Sequence, residues 1–279
     1  TTQFGDQSAN TSTGTATVSH TYGSSGNYKI VVSGNVGKLP KSGADVTNFH
    51  RFGKVKLGTD QSSQFVSSTA TFTTNDYPEF IPNTSVASYF QSANLTSGSW
   101  SNLNLNAWPT DVTTNKNNMS TMFFDTQNFT DDLNNWVTTN VTNMSCMFGK
   151  SDFNGNIPQW DTSNVSDMGN MFDWDGGRRV PFNKPIGDWN TGKVTTLRRA
   201  FRGTSAFNQD ISAWNTALVQ SLDGTFLESQ AFNGNIAQWN TANVTNFGST
   251  FSNCIFNTDI SSWNTSKATS FDSIFQDNT

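Results

Sequence analysis

Seven tryptophans recur along this 279-residue chain at a nearly constant spacing. They are Trp108, Trp136, Trp160, Trp189, Trp214, Trp239 and Trp263. The successive gaps are 28, 24, 29, 25, 25 and 24 residues. A repeat unit of about 25 residues cannot bury its own apolar side chains, so units with this period are expected to stack against one another around a shared core.

Other apolar residues keep fixed distances from each tryptophan, which we number zero in its unit. In the six units from Trp136 onward, position −7 is phenylalanine, position −3 is leucine or isoleucine, and position +5 is valine in all but the last unit. Position +12 is Phe148, Phe172, Phe201, Phe226, Phe251 and Phe275. The Trp108 unit fits this register once three residues are inserted. These columns of Phe, Ile and Trp are predicted to form the core.

Each unit has two predicted halves. Apolar positions +5, +8, +11 and +12 would form one stripe on a short helix, and the hydroxyl residues at +6 stand where an N-cap would lie. The segment from −7 to 0, such as residues 207–214, is too short and too rich in turn residues for a helix. We predict a short strand followed by a bend there.

These motifs carry a resemblance to a known family. Residues 207–216 and 160–172 resemble the repeat of BspA-like surface proteins, a leucine-rich-repeat-like group found in mycoplasma and other bacterial surface proteins and in some viruses. The resemblance covers roughly residues 80 to 279. It implies an α/β repeat fold, namely a leucine-rich-repeat-like right-handed solenoid with a short strand and a short helix per coil, and a role in adhesion or recognition.

The N-terminal region lacks the period. We expect residues 1–75 to form a β-rich N-terminal cap and residues 76–279 to form a solenoid of about seven repeats. Residues 18–32 read as two strands around a glycine turn and resemble the closing hairpin of PKD-type immunoglobulin-like domains. An independent binding domain is the alternative interpretation of this region.

Composition argues against several classes of protein. Charged residues make up 13% of the chain and the net charge is −5, which disfavours a nucleic-acid partner. No run of eighteen apolar residues occurs, so membrane insertion is not expected, and no signal peptide is recognisable. These features leave a chain whose surface is built mainly from uncharged polar groups.

No enzyme is expected from the inventory of reactive residues. The histidines are His20 and His50, both in the cap region, and no nucleophile elbow, phosphate loop or metal-binding histidine pair is present. We therefore expect no catalytic residue, no metal site and no cofactor. Cys146 and Cys254 are four units apart, too far for a disulfide, and are predicted to be free thiols.

Threonine at position +2 is open to two interpretations. The column contains Thr138, Thr162, Thr191, Thr216, Thr241 and Thr265. Its hydroxyls could bond to backbone groups in the bend after each tryptophan, which is the favoured interpretation. An exposed threonine ladder would instead suggest an ice-binding protein, a distant alternative.

The candidate partner site lies where the period is broken. The gap between Trp160 and Trp189 is the longest, and its extra residues fall within 173–180, where Trp174 belongs to no column. Residues 178–202 carry seven cations against Asp188, a local charge of +6. Trp174 could be an aromatic anchor in a site for an acidic ligand. The site residues are Trp174, Arg178, Arg179, Lys193, Arg198, Arg199 and Arg202, and the alternative site is the face of the strand ladder at Gln209 and Ser212.

The expected function is a non-enzymatic recognition, adhesion or structural module displayed on an extracellular surface, with a protein or an acidic cell-surface glycan as partner. The alternative is a phage or viral virion component, such as a fibre, decoration or receptor-binding protein. Residues 273–279 follow the last repeat with no polar capping coil. We expect the C-terminal face to be covered by another chain or by sequence missing here.

Overall fold

The computed structural model describes residues 87–93, 118–134, 136, 138–174 and 176–278, together with the backbone of eight short strands nearer the N-terminus. The strands are β1 (Thr2–Gln3), β2 (Ala9–Asn10), β3 (Val31–Val32), β4 (Gly34–Val36), β5 (Asn48–Phe49), β6 (Val55–Leu57), β7 (Thr71–Phe72) and β8 (Glu79–Phe80). Trp108, both histidines and most of the hairpin expected at 18–32 lie outside the described residues.

The eight strands form three small sheets. Strand β1 pairs antiparallel with β2 and with β3. Strands β4, β6 and β8 form a parallel sheet in that order, and β5 pairs parallel with β7. The parallel partners are offset by 21 residues for β4 and β6 and by 23 residues for the other two pairs. The sequence offset between these parallel partners is thus nearly as long as one repeat unit, although the strands lie before the first tryptophan of the repeat.

Backbone hydrogen bonds join successive repeat units in parallel register. Isolated parallel bridges link equivalent residues at position +7, namely Asn118, Asn143, Asp167, Thr196, Ser221, Asn246 and Ser270. At position +6 the N–H of each unit donates to the +6 carbonyl of the unit before it, as Thr195 does to Ser166 at 2.9 Å. Equal positions therefore lie over one another, which stacks each apolar residue on its own kind.

Three columns of aromatic rings fill the core. Neighbouring tryptophans, from Trp136 to Trp263, have ring centroids 6.3 to 6.5 Å apart. The ring centroids of neighbouring +12 phenylalanines are 5.5 to 6.0 Å apart. In all but the last unit, the ring at +12 also stacks on the next phenylalanine at −7, with centroids 3.8 to 4.4 Å apart. Offset stacks of this kind add to the free energy gained by burying the rings.

Each core tryptophan also ties its unit to the one before. The indole Nε1–H of Trp214 donates to the backbone carbonyl of Ile186 at 3.0 Å, and that of Trp239 donates to Ile211 at 3.1 Å. Trp160, Trp189 and Trp263 make the equivalent bond. The buried indole donor is thus satisfied by the −3 carbonyl of the neighbouring unit, which explains why tryptophan rather than phenylalanine occupies this column.

The threonines at +2 bond to the backbone of the next unit. Thr162 Oγ1 donates to the Asn190 carbonyl at 3.0 Å, and the equivalent residues from Thr138 to Thr241 do the same. Those five threonines are buried, whereas Thr265 in the last unit is exposed. The favoured interpretation is therefore correct, and the exposed ladder that would bind ice is not formed by this column.

The abundance of Asn, Asp and Ser reflects capped turns at up to three positions in a unit. At positions −4, +1 and +7 a short polar side chain accepts the N–H of the residue two places on. Examples are Asp210 with Ser212 at 2.9 Å, Asp161 with Ser163 at 2.9 Å and Asn246 with Gly248 at 2.8 Å. The polar composition thus fixes the turns by which the chain re-enters the core.

The segment predicted as a short helix has another conformation. The described residues contain no α-helix, and positions +8 to +13 form linked turns. In the Trp239 unit, Phe247, Ser249 and Phe251 donate their N–H groups to the next unit at 2.9, 2.7 and 2.9 Å. The intervening Thr250 and Ser252 donate to carbonyls three residues back. Because these hydrogen bonds join residues three places apart, apolar side chains come to the same side of the segment about every three residues, which is close to their spacing on one face of a helix.

Left-handed residues prevent a helix there. Positions +10 and +14 have positive φ in most units, for instance 49° at Ser249 and 51° at Asn253. A residue other than glycine in this region costs about 1 to 2 kcal/mol, because its Cβ approaches the following carbonyl. Hydrogen bonds to neighbouring units hold the segment in this conformation, and in the last unit, where Ser273 and Asp277 also have a φ of 55°, the bonds to the preceding unit are enough.

Trp214→Ala is expected to lower the free energy of unfolding by about 3 to 5 kcal/mol, because it removes a buried ring from the middle of a stack. Urea denaturation followed by circular dichroism measures the change. Trp174→Ala is the control, since Trp174 is only half-buried and lies outside the columns. Equal losses for both variants would contradict the assignment of the Trp column to the core.

Ser249 distinguishes the left-handed turn from a helix. Ser249→Gly is expected to stabilise the protein by roughly 0.5 to 1 kcal/mol, because glycine adopts a φ of 49° without strain, whereas Ser249→Ala should gain nothing. In a helix the order would be reversed, with alanine the better residue. Thermal unfolding of the two variants beside the parent chain decides between these conformations.

Candidate functional site

The insertion at residues 173–180 is organised by Trp174. Its backbone N–H donates to the Arg202 carbonyl at 2.9 Å, and its indole Nε1–H donates to the Gly177 carbonyl at 2.6 Å. Its side chain lies directly against Gly203, where an added Cβ would approach the Trp174 Cβ to 2.4 Å. Glycine at 203 therefore makes room for this ring as well as permitting a φ of +69°.

Two arginines lie over the Trp174 ring. The guanidinium carbon of Arg179 is 4.4 Å from the ring centroid and that of Arg202 is 5.9 Å away, both within the range of a cation–π contact. The structure thus brings three of the predicted site residues together. The ring is half-buried and already contacts a cation, so it also holds the insertion in place, a role that the sequence did not predict.

Most of the predicted cations are paired with carboxylates from other units. Arg178 bonds to Asp152, Arg179 lies 3.4 Å from Glu228, Arg198 lies 3.0 Å from Asp223, and Arg202 lies 3.7 Å from Asp173. These four acids lie outside residues 178–202, so the charge expected from that stretch of sequence did not include them. Seven cations against Asp188 and these four carboxylates leave +2, not the +6 expected from the local sequence.

The remaining two predicted residues have different surroundings. Arg199 occupies a left-handed +10 position and is half-buried, with its Cγ next to Gly224. Lys193 is exposed at position +4, where its Nζ donates to Asn164 Oδ1 at 2.5 Å. Lys267 makes the same contact to Asn243 three repeats further along, so this Lys–Asn pair belongs to the repeat rather than to the insertion.

A second candidate site is an open polar groove of about 350 Å³ on the −6 to −2 side of the units. It is lined by Asn208, Gln209, Asp210, Ser212, Asn233, Gly234 and Asn235. It includes Gln209 and Ser212, the alternative site expected from the sequence. The groove lies between two regular units, so its shape follows from the repeat itself.

A ladder of asparagines at position −6 forms one wall of this groove. The N–H of Asn208 donates to Asn183 Oδ1 at 3.2 Å, and the N–H of Asn233 donates to Asn208 Oδ1 at 3.0 Å. Gln209 Nε2 donates to Asn183 Oδ1 at 2.7 Å. Hydrogen bonds from the hydroxyl and the N–H of Ser212 lower the pKa of Asp210, which keeps this carboxylate ionised at neutral pH.

Both cysteines are free in the structure, as the repeat spacing predicts. Cys254 is buried at position +15, where its thiol donates to the Phe251 carbonyl as Ser151 Oγ does to Phe148. Cys146 is half-buried at position +10. Burial, together with the nearby carboxylates of Asp173 and Asp167, raises the pKa of Cys146 to about 11, while Arg198 acts in the opposite direction.

Within the described ranges the structure contains neither a metal-ligand cluster nor a membrane-spanning helix. No group of three or more His, Cys, Asp or Glu side chains is placed there to hold a metal ion. Among the same residues no helix is long and apolar enough to cross a membrane.

These features define a repeat protein whose interior is a set of aromatic columns and whose exterior is polar. The chain belongs to the family described as Mycoplasma protein of unknown function, DUF285, which matches it twice, over residues 84–179 and 174–279. The two matches meet within the insertion that contains Trp174. Comparisons with curated proteins and with solved structures found no match.

Cys146 is expected to alkylate about 100-fold more slowly in the native chain than in the unfolded chain at pH 7.5, since a pKa of about 11 in place of the ordinary 9.0 leaves that much less thiolate. The native rate should still rise with pH where the unfolded rate has levelled off. Mass spectrometry of iodoacetamide-treated protein, with and without urea, measures both rates. Equal rates would show that the thiol is not shielded in this way.

Proposed function

We propose that this chain is a non-enzymatic recognition or adhesion module, built as a leucine-rich-repeat-like right-handed solenoid of the BspA-like type. The parallel bridges and the aromatic columns support a stack of coils, and the repeat motif supports the BspA-like relationship. The prediction of a strand at positions −7 to 0 is wrong for the described units, which have no strand there; single parallel bridges lie at position +7 instead, and linked turns occupy the segment predicted as a helix.

One observation carries the functional proposal: equal positions of successive units lie over one another in the described stack. The interior is then the same in every unit, and whatever distinguishes one part of the exterior from another comes from departures from the repeat. The insertion at 173–180 is such a departure, and its arginines are held at defined positions by ion pairs. A protruding, polar and pre-ordered segment on a rigid scaffold suits binding.

The insertion is the proposed site for an acidic group, such as a carboxylate or sulfate of a cell-surface glycan or protein. Arg178 and Arg198 keep 40% and 44% of their side chains exposed despite their ion pairs. An arginine in such a pair can share its planar fork with a second anion. The long-range attraction of an acidic ligand should be modest. The seven cations of residues 178–202, taken together with Asp188 and the four paired carboxylates, have a net charge of +2 rather than +6.

The polar groove at Asn208 and Asn233 is the alternative site for the same function. Its amides and hydroxyls suit a neutral ligand rich in hydroxyl groups, while the ionised Asp210 disfavours an acidic one. The resemblance of the repeat motif to BspA-like surface proteins supports display on a bacterial surface. The virion role remains the other candidate setting, and the ice-binding alternative loses its premise because its threonines are buried.

Binding to a glycan array and to whole cells tests the proposal, with the native chain and two variants at low and high salt. In the first variant Arg178, Arg198 and Arg199 become Ser, which spares Arg202 and its nearly buried partner Asp173. We expect at least a tenfold loss of binding to acidic ligands and a weaker dependence on salt. In the second, Asn208→Ser with Gln209→Ser should leave binding to acidic ligands unchanged.

Two controls separate the outcomes. Lys267→Ser removes a positive charge in the last repeat unit, outside the insertion, and should retain binding. Replacing the same three arginines by lysine retains charge but removes the bidentate fork, so binding should fall with little change in salt dependence. Loss of binding only in the Asn208 and Gln209 variant would move the site to the groove. No ligand in either assay would contradict the recognition function.

A further inference from the structure

The asparagine ladder at position −6 contains two asparagines that are followed by glycine. In the chain the pair Asn-Gly occurs only at residues 154–155 and 233–234. The glycine nitrogen of such a pair can attack Cγ of the asparagine and close a five-membered imide, because both groups belong to one short segment. Glycine favours this ring closure, since the missing Cβ leaves its main chain free to rotate. Both pairs are therefore candidates for a covalent change.

The side-chain carbonyl of Asn233 accepts two hydrogen bonds from the following repeat unit. The N–H of Asn257 donates to Asn233 Oδ1 at 2.8 Å, and the Thr258 hydroxyl donates to the same oxygen at 3.2 Å. Negative charge develops on this oxygen when a nucleophile adds to Cγ. Donors that already point at such an oxygen stabilise the transition state of acyl transfer. The stacking of the units thus gives Asn233 a pair of donors that promotes attack on its amide.

The two nitrogens that take part in such an attack are accessible at Asn233. Within the part of the chain that the structure describes, neither the Gly234 N–H nor Asn233 Nδ2 donates a hydrogen bond. Asn233 is exposed, and it lines the open polar groove together with Gly234. Neither nitrogen therefore has to leave a protein acceptor before it reacts, and solvent reaches the site from the groove.

Asn154 has the same following residue but fewer donors. Its Oδ1 accepts the N–H of Asn183 at 3.0 Å and no second bond among the described residues. Lys184 stands where Thr258 stands in the other pair of units, so no hydroxyl is available there. The charge that develops during attack is therefore less well stabilised at Asn154 than at Asn233.

Gly155 is also more confined than Gly234. Gly155 is buried, and a Cβ added to it would overlap the backbone carbonyl oxygen of Asp131. Gly234 is half-buried, and an added Cβ would have the Phe232 ring as its nearest contact, at 3.1 Å. Ring closure turns the glycine nitrogen toward the asparagine side chain, so the looser packing at Gly234 favours the reaction there.

We propose that Asn233 of the folded protein deamidates spontaneously and that the donors of Asn257 and Thr258 promote the reaction. The Gly234 nitrogen gives its proton to solvent and bonds to Asn233 Cγ, after which the Cγ–Nδ2 bond breaks and ammonia leaves. Water then adds to one carbonyl of the imide and breaks its bond to the Gly234 nitrogen, which regains a proton. Opening at Cγ gives aspartate, and opening at the main-chain carbonyl gives isoaspartate. The net reaction takes up one water and releases one ammonia.

The ladder can accept an aspartate at 233. Asn233 serves the ladder as an acceptor through Oδ1, and its own N–H donates to Asn208 Oδ1, so both bonds persist when a carboxylate replaces the amide. The new carboxylate joins Asp210 among the groups that line the groove, which makes the groove more acidic. The reaction needs no ligand at the groove or at the insertion, so the proposal is independent of the proposed function.

Mass spectrometry of peptides from the full chain after incubation at neutral pH tests the proposal, since deamidation adds about 1 Da. The ladder itself supplies the comparisons. Asn154 has the glycine but one donor, Asn183 has two donors but is followed by lysine, and Asn208 has one donor and is followed by glutamine. We expect Asn233 to deamidate at least about threefold faster than Asn154 and at least about tenfold faster than the other two.

Two variants at residue 258 isolate the contribution of the hydroxyl donor. Thr258→Val removes the donor with little change of shape and should slow deamidation of Asn233 at least about threefold. Thr258→Ser is the matched control, because it retains a hydroxyl and should react as the parent chain does. Circular dichroism shows whether both variants are folded. A rate at Asn233 no higher than at Asn154, or no effect of Thr258→Val, would overturn the proposal, as would an Asn233 that stays unmodified.

Discussion

The parallel register between successive repeat units is the constraint on which the rest of this structure depends. Because equal positions lie over one another, each tryptophan stacks on a tryptophan and each phenylalanine on a phenylalanine, with ring separations that vary by less than 1 Å along a column. The same register lets an indole or threonine donor find a backbone carbonyl in the neighbouring unit every time. A slip by one residue would break all of these contacts together.

The register also allows a strained backbone to persist. Residues such as Cys146, Arg199 and Ser249 hold positive φ although none is glycine, because their N–H groups and those of their neighbours bond to the next unit. Stability of this kind belongs to the stack and not to a single unit.

The exterior reflects the same architecture in a different way. Ladders of Asn, Ser and Thr run along the stack with little charge, and the ion pairs of Arg178, Arg179 and Arg198 each span different units. The insertion that carries Trp174 interrupts this regular surface without disturbing the columns, since Phe172 and Phe182 on either side of it still stack at 4.1 Å. The sequence of the insertion can therefore change while the columns of the core are preserved.

The sequence by itself determined the repeat length, the core columns and the spacing of the two free cysteines, because each of these depends only on which residues recur at which positions. The conformation of positions +8 to +14 was decided by the tertiary structure. An apolar spacing of three residues fits both a helix and linked turns, and the bonds between neighbouring units select the turns. The charge of the insertion was likewise decided in three dimensions. Asp152, Asp223 and Glu228 are remote from residues 178–202 in sequence, and stacking alone brings them to the arginines that they neutralise.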